Sequence, residues 1–133
     1  MSQKLTSLII STLMLCGAVL GEDKKSPDGA THVKAAEAEK LVKEHKVQVL
    51  DVRTADEYKE GHIKGAKNID FTENDFESEA AKLDKTKPVL VHCQGGGRST
   101  KSLEVLEKLG FQHIYHLDGG LKGWQAEGKP VEK

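Results

Sequence analysis

Along the chain, apolar positions recur at helical spacing, then in runs of strand length, and the two periods keep alternating. Ala35, Ala38, Leu41 and Val42 share one helical face, and Val47-Gln48-Val49-Leu50-Asp51-Val52 is a strand-length run. Thr54 followed three residues later by Glu57 matches a capping box and predicts a short helix over 55–60, with a loop over 61–69. Phe76, Ala80 and Leu83 give a weaker helical signal over 76–83, and Val89-Leu90-Val91-His92 reads as a short buried strand. Leu103, Val105, Leu106 and Leu109 predict an amphipathic helix, stopped by Gly110 in a left-handed cap with Phe111 behind it. Ile114-Tyr115-His116-Leu117 is the next strand, and Gly119-Gly120 open a last short helix over 121–126. Strands alternating with helices predict an α/β fold: a mostly parallel central sheet with helices on both faces.

The two ends of the pattern differ. Residues 1–21 carry one charge, Lys4, and an apolar run from Leu8 to Leu20, which reads as a signal peptide too short to span a bilayer, with a cut after Gly21. Residues 22–30 are polar, contain Pro27 and Gly29, and read as a flexible linker, so the folded domain is expected over 31–133. An exported chain, periplasmic or secreted, follows. Lipidation at Cys16 is the one route to membrane attachment after leader removal, and Leu15 stands where that cleavage needs a small residue. The 133 residues suit a single domain, and 20 basic against 21 acidic residues leave no electrostatic footprint for nucleic acid or an acidic membrane surface. Of the two cysteines, only Cys93 outlasts the leader, so it is inert, paired with another chain, or reactive.

The chemistry concentrates in His92-Cys93-Gln94-Gly95-Gly96-Gly97-Arg98-Ser99, between a strand end and a helix start. In a parallel sheet, ligands bind beyond the carboxyl ends of the strands. Consecutive glycines let backbone N–H groups curl inward, and the following helix adds the positive end of its dipole. Both favour a thiolate, and Arg98 adds a cation, so Cys93 reads as a ready nucleophile. A buried structural cysteine would leave three glycines and an arginine without a role. Ser99 reads as the cap of the following helix.

Leu50-Asp51-Val52-Arg53 with Glu57-Tyr58, Gly61-His62-Ile63 with Gly65-Ala66 and Asn68-Ile69, the Cys93 loop, and Leu117-Asp118-Gly119-Gly120 with Trp124 together resemble a single-domain rhodanese, a thiosulfate sulfurtransferase-like protein. The resemblance spans 31–130 and implies a rhodanese-like three-layer sandwich in which Cys93 takes the outer sulfur of a small anionic donor such as thiosulfate. The outer sulfur of the resulting persulfide then passes to cyanide, a thiol or a protein acceptor. It implies donor binding by Gln94, Gly95, Gly96, Gly97, Arg98 and Ser99, with Arg98 steadying the departing sulfite, and makes Asp51 and Arg53 a supporting ion pair. A non-catalytic sulfur carrier or interaction module of the same fold is the alternative. Cysteine phosphatases resemble a longer, five-residue spacing between Cys and Arg. Only Gln94 to Gly97 intervene here, which disfavours phosphatase or arsenate reductase chemistry.

No metal or organic cofactor is implied. His113 and His116 lie three apart on a strand without a third ligand near in sequence. His62 and His92 read as structural, and Trp124 as packing for the last helix.

Overall fold

The computed structural model describes residues 25–133; the expected leader, its cut after Gly21 and the first part of the expected linker lie outside the described residues. Five strands, β1 (Thr31–Val33), β2 (Gln48–Asp51), β3 (Lys67–Asn68), β4 (Val89–His92) and β5 (Ile114–Leu117), form one sheet in the order β1-β5-β4-β2-β3, every neighbouring pair parallel. Parallel neighbours need crossovers, and the helices α1 (Ala35–Lys43), α2 (Ala55–Glu60), α3 (Phe76–Ala80) and α4 (Gly97–Lys108) lie in the connections between successive strands, while α5 (Gly120–Ala126) follows β5. Among the described residues, no helix is long and apolar enough to cross a membrane.

Strand alternation divides the core into two layers. Leu50, Val52, Val89, Val91, Cys93 and Ile114 turn toward α3 and α4, where Phe76, Ala80, Leu103 and Leu106 meet them. Val33, Val49, Leu90, Tyr115 and Leu117 turn the other way, against Ala35 and Ala38 of α1 and Leu121 and Trp124 of α5. The expected three-layer α/β arrangement is therefore present, with β4 at the centre of the sheet, buried throughout.

Local signals land where the sequence places them. Thr54 Oγ1 accepts from the Glu57 N–H at 3.2 Å and the Glu57 carboxylate accepts from the Thr54 N–H, closing the capping box on α2. Past α4, Gly110 takes φ +93° and donates to Glu107 O while Phe111 N donates to Leu106 O, the bonding of a Schellman motif. Two strands have no sequence counterpart: β1, three residues long, and β3, two residues within the expected loop over 61–69. Residues 26–30 depart from the flexible linker expected there. Ser26 N donates to Ala30 O at 2.8 Å, Asp28 Oδ1 accepts from Ala30 N at 3.1 Å, and Ala30 is fully buried, so this turn belongs to the fold.

Candidate active site

Cys93 leaves the end of β4 on the α4 side of the sheet, and its side chain is 1% exposed. The start of the loop is clamped from the opposite layer: Leu121 N donates to Cys93 O at 2.9 Å and Lys122 N to Gln94 O at 3.0 Å, both from the first turn of α5. Gly120 makes this approach feasible. A Cβ there would lie 2.5 Å from Gln94 O and 2.7 Å from Cys93 O, and its φ of +59° falls in the left-handed region.

Cys93 Sγ accepts from the Gly96 N–H at 3.0 Å and stands 3.3 Å from the Ser99 hydroxyl. Burial pushes the thiol up, but donation from the Ser99 hydroxyl and from the backbone N–H groups of Ser99, Gly96 and Gly95 outweighs it and holds the thiol below its ordinary value. The loop donors therefore favour the thiolate form of Cys93, in the direction read from the sequence. Of the three glycines, only Gly96 needs a left-handed backbone, at φ +116°; Gly95 and Gly97 have open space where a Cβ would project.

Two expectations about the loop are corrected. Arg98, expected to face the donor, instead grips Glu57, Nη1 to Oε1 at 2.7 Å and Nη2 to Oε2 at 3.0 Å. That pairing drives the Glu57 carboxyl down to about 2, with burial opposing and Thr54 assisting. Arg98 remains within electrostatic reach of Cys93, yet the larger causes of the lowered thiol are hydrogen bonds. Ser99, expected as the helix cap, is the third residue of α4, whose N-cap position belongs to Gly96; its hydroxyl sits beneath Cys93.

Asp51 and Arg53, read from the sequence as a supporting pair, are bonded to each other. Asp51 is fully buried and accepts from Arg53 Nε at 2.9 Å and Nη2 at 2.7 Å. Arg53 goes on to Gly61 O at 2.8 Å and to Gln94 Oε1 at 3.2 Å, so the Gln94 side chain, expected at the donor site, is engaged in this corner. Beside it lies a polar depression of about 280 Å³ bordered by Arg53, Glu57, Glu60, Gln94 and Gln125. A larger cavity of about 460 Å³, walled by Val42, Val47, Ile63 and Trp124, touches no residue of the Cys93 loop.

The remaining aromatic and imidazole groups divide clearly. His92 is fully buried on the far face from Cys93, its Nδ1 3.0 Å from Cys93 O. His62 stacks on Tyr58, with ring centroids 3.7 Å apart. Trp124 is buried in the α1–α5 layer and donates to Pro130 O at 2.9 Å.

What sequence reasoning missed is a polar chain behind Ser99. His116 Nε2 lies 2.7 Å from Ser99 Oγ, and its Nδ1 lies 2.9 Å from Asp118 Oδ1. His32 Nδ1 meets the same Asp118 oxygen at 2.7 Å, and its Nε2 meets Asp28 Oδ2 at 2.7 Å. Burial opposes charge on His32, but its hydrogen bonds to the Asp118 and Asp28 carboxylates raise its pKa overall; on the more buried His116, desolvation prevails and lowers it. His113, the partner weighed in sequence, instead stacks on Tyr115. Only the two-residue step from His116 to Asp118, which puts both on one strand face, was available as a signal.

Comparison with known proteins agrees with this geometry. The family model described as rhodanese-like domain matches residues 34–127. A thiosulfate sulfurtransferase, GlpE, of Coxiella burnetii is 40% identical over 90 residues, covering 68% of this chain and 82% of that protein. A tRNA uridine(34) hydroxylase of Pelagibacter ubique is 37% identical over 102 residues, covering 76% of this chain but 34% of that protein. Among solved structures, a rhodanese-related protein from Thermoplasma volcanium superposes with a TM-score of 0.69 at 32% identity, covering 76% of this chain and 96% of that one.

Proposed function

Because this chain belongs to the rhodanese-like domain family, we propose that it is a sulfurtransferase that carries a sulfane sulfur on Cys93. The observation that carries the reading is the Cys93 sulfur held by Gly96 N–H and the Ser99 hydroxyl at the end of β4, with its thiol lowered by those donors. In the first half-reaction, the thiolate attacks the outer sulfur of a thiosulfate-like donor. The donor's S–S bond breaks, sulfite departs with the electron pair, and a Cys93 persulfide forms. The same N–H donors stabilise the terminal persulfide anion. A cyanide or thiolate acceptor then attacks the outer sulfur and regenerates the Cys93 thiolate. With Cys93 as the mature chain's one thiol, discharge requires an external acceptor.

Incubation with thiosulfate should add the mass of one sulfur to Cys93, and cyanide should remove it as thiocyanate. Absence of both the adduct and thiocyanate would overturn catalysis.

One observation favours a second reading, a sulfur carrier served by a protein partner: Cys93 is 1% exposed and Arg98, the cation of its loop, is tied to Glu57. A persulfide that forms with thiosulfate but is discharged by a protein acceptor and not by cyanide would select the carrier. The apolar residues 1–21 support work outside the cytoplasm, tested by the amino-terminal residue of the mature chain.

A further inference from the structure

The register of the sheet sets His32 of β1 directly opposite His116 of β5, and alternation along the chain puts Asp118 on the same face. We propose that His32 Nδ1, His116 Nδ1 and Asp118 Oδ1 form a binding site for a divalent transition-metal ion such as Zn²⁺, and that occupancy ends the competition of His116 for the Ser99 hydroxyl and commits it to Cys93. The three atoms form a triangle with edges of 2.7, 2.9 and 3.2 Å. Donors bound about 2.1 Å from one ion lie roughly 3.0 Å apart on an octahedral face and roughly 3.4 Å apart in a tetrahedron, so the triangle is already near the size of a facial site.

The surroundings fit a metal site as well as the triangle does. Metal-bound histidines hold their second ring nitrogen with an outer hydrogen-bond partner, which fixes ring orientation. Both rings have one here: Asp28 Oδ2 on His32 Nε2 and Ser99 Oγ on His116 Nε2, each at 2.7 Å. That leaves both Nδ1 atoms crowded on one carboxylate oxygen, an arrangement a cation relieves. Two imidazoles and one carboxylate favour Zn²⁺ or Ni²⁺ over Mg²⁺ or Ca²⁺. His116 is nearly buried, while side-chain exposures of 26% for His32 and 48% for Asp118 leave a side open for entry and for water to complete the shell.

The coupling to Cys93 follows from proton counting. Ser99 has one hydroxyl proton and three acceptors in reach: His116 Nε2, Gly96 O and Cys93 Sγ. While neutral His116 carries its proton on Nδ1, Nε2 competes with the Cys93 thiolate for the one Ser99 proton, at the shortest of the three distances, so donation to Cys93 is only partial. A metal on Nδ1 leaves the neutral ring's proton on Nε2, which then donates to Ser99 Oγ, and the serine proton is free for the Cys93 thiolate.

Titration calorimetry of Zn²⁺ into the untagged full chain carrying Cys93→Ser tests the site apart from the sulfur-transfer reading, because no sulfur is moved. The expected result is one Zn²⁺ per chain, weakened about 10- to 100-fold by His116→Ala or Asp118→Asn, with no response to Mg²⁺. Part-exposed His32→Gln supplies the same readout should either variant fail to fold by circular dichroism. With Cys93 present, saturating Zn²⁺ should speed alkylation by iodoacetamide near neutral pH, and Ser99→Ala should bind Zn²⁺ without that gain. No Zn²⁺ binding, or binding indifferent to these substitutions, overturns the site; alkylation unchanged or slowed by Zn²⁺ overturns the coupling.

Discussion

Arg98 and Glu57 join the start of α4 to the first turn of α2 through a two-pronged ion pair, 2.7 and 3.0 Å, at the edge of the Cys93 loop. The carboxyl is held down to about 2 in the fold. A depressed carboxyl contributes stability that is fully present above its unfolded value, near 4.5, and is lost as the pH falls from there toward about 2. Both side chains are about one-third exposed, so the contribution is discounted to about 1 kcal/mol. Glu57→Gln should therefore cost about 1 kcal/mol in urea unfolding at pH 7, and the gap from the parent should close by about pH 2 to 3. A gap independent of pH would show that the pair is not its origin.

Ser99→Ala removes the largest hydrogen-bonding contribution to the lowered Cys93 thiol. Alkylation of Cys93 near neutral pH should slow about 5- to 10-fold, the pH profile moving to higher pH, with the fold unchanged by circular dichroism. An unshifted profile would mean that the loop N–H groups alone hold the thiolate.

Gly120 and Gly65 both take left-handed backbone, at φ +59° and +80°, but only Gly120 has neighbours in the way of a side chain. Gly65→Ala should cost about 1 kcal/mol, the backbone term alone. Gly120→Ala adds a collision with the carbonyls of Cys93 and Gln94 and should cost about 3 kcal/mol or more, with loss of Cys93 reactivity. Thermal melts of the two variants make the comparison, and equal losses would contradict it.

The Asp51–Arg53 pair is 0% and 3% exposed and connects β2, Gly61 and Gln94. Arg53→Met leaves a buried carboxylate without its partner, and about 3 to 5 kcal/mol should be lost. Arg53→Met combined with Asp51→Leu should recover part of that loss by removing the uncompensated charge. Denaturant midpoints of the two chains decide it.

The features legible in the sequence are those whose physics is local. The Thr54–Glu57 capping box and the Gly110 turn each close within six residues, so residue type and spacing suffice. The strand that delivers Cys93 into a glycine loop and a helix is likewise contiguous, which is why the candidate nucleophile and the loop around it could be read before any fold was known. Strands β1 and β3, with three and two residues, have too few positions to show a period. Tertiary structure alone decided the partners of the loop. In the order β1-β5-β4-β2-β3, β1 lies beside β5 and β2 beside β4, strands that do not follow one another in sequence, so nothing near His116 announces His32, 84 residues away, and nothing near Arg98 announces Glu57, 41 residues away. The chain by itself specified a cysteine between a strand end and a glycine loop; the parallel crossovers determined which groups surround it.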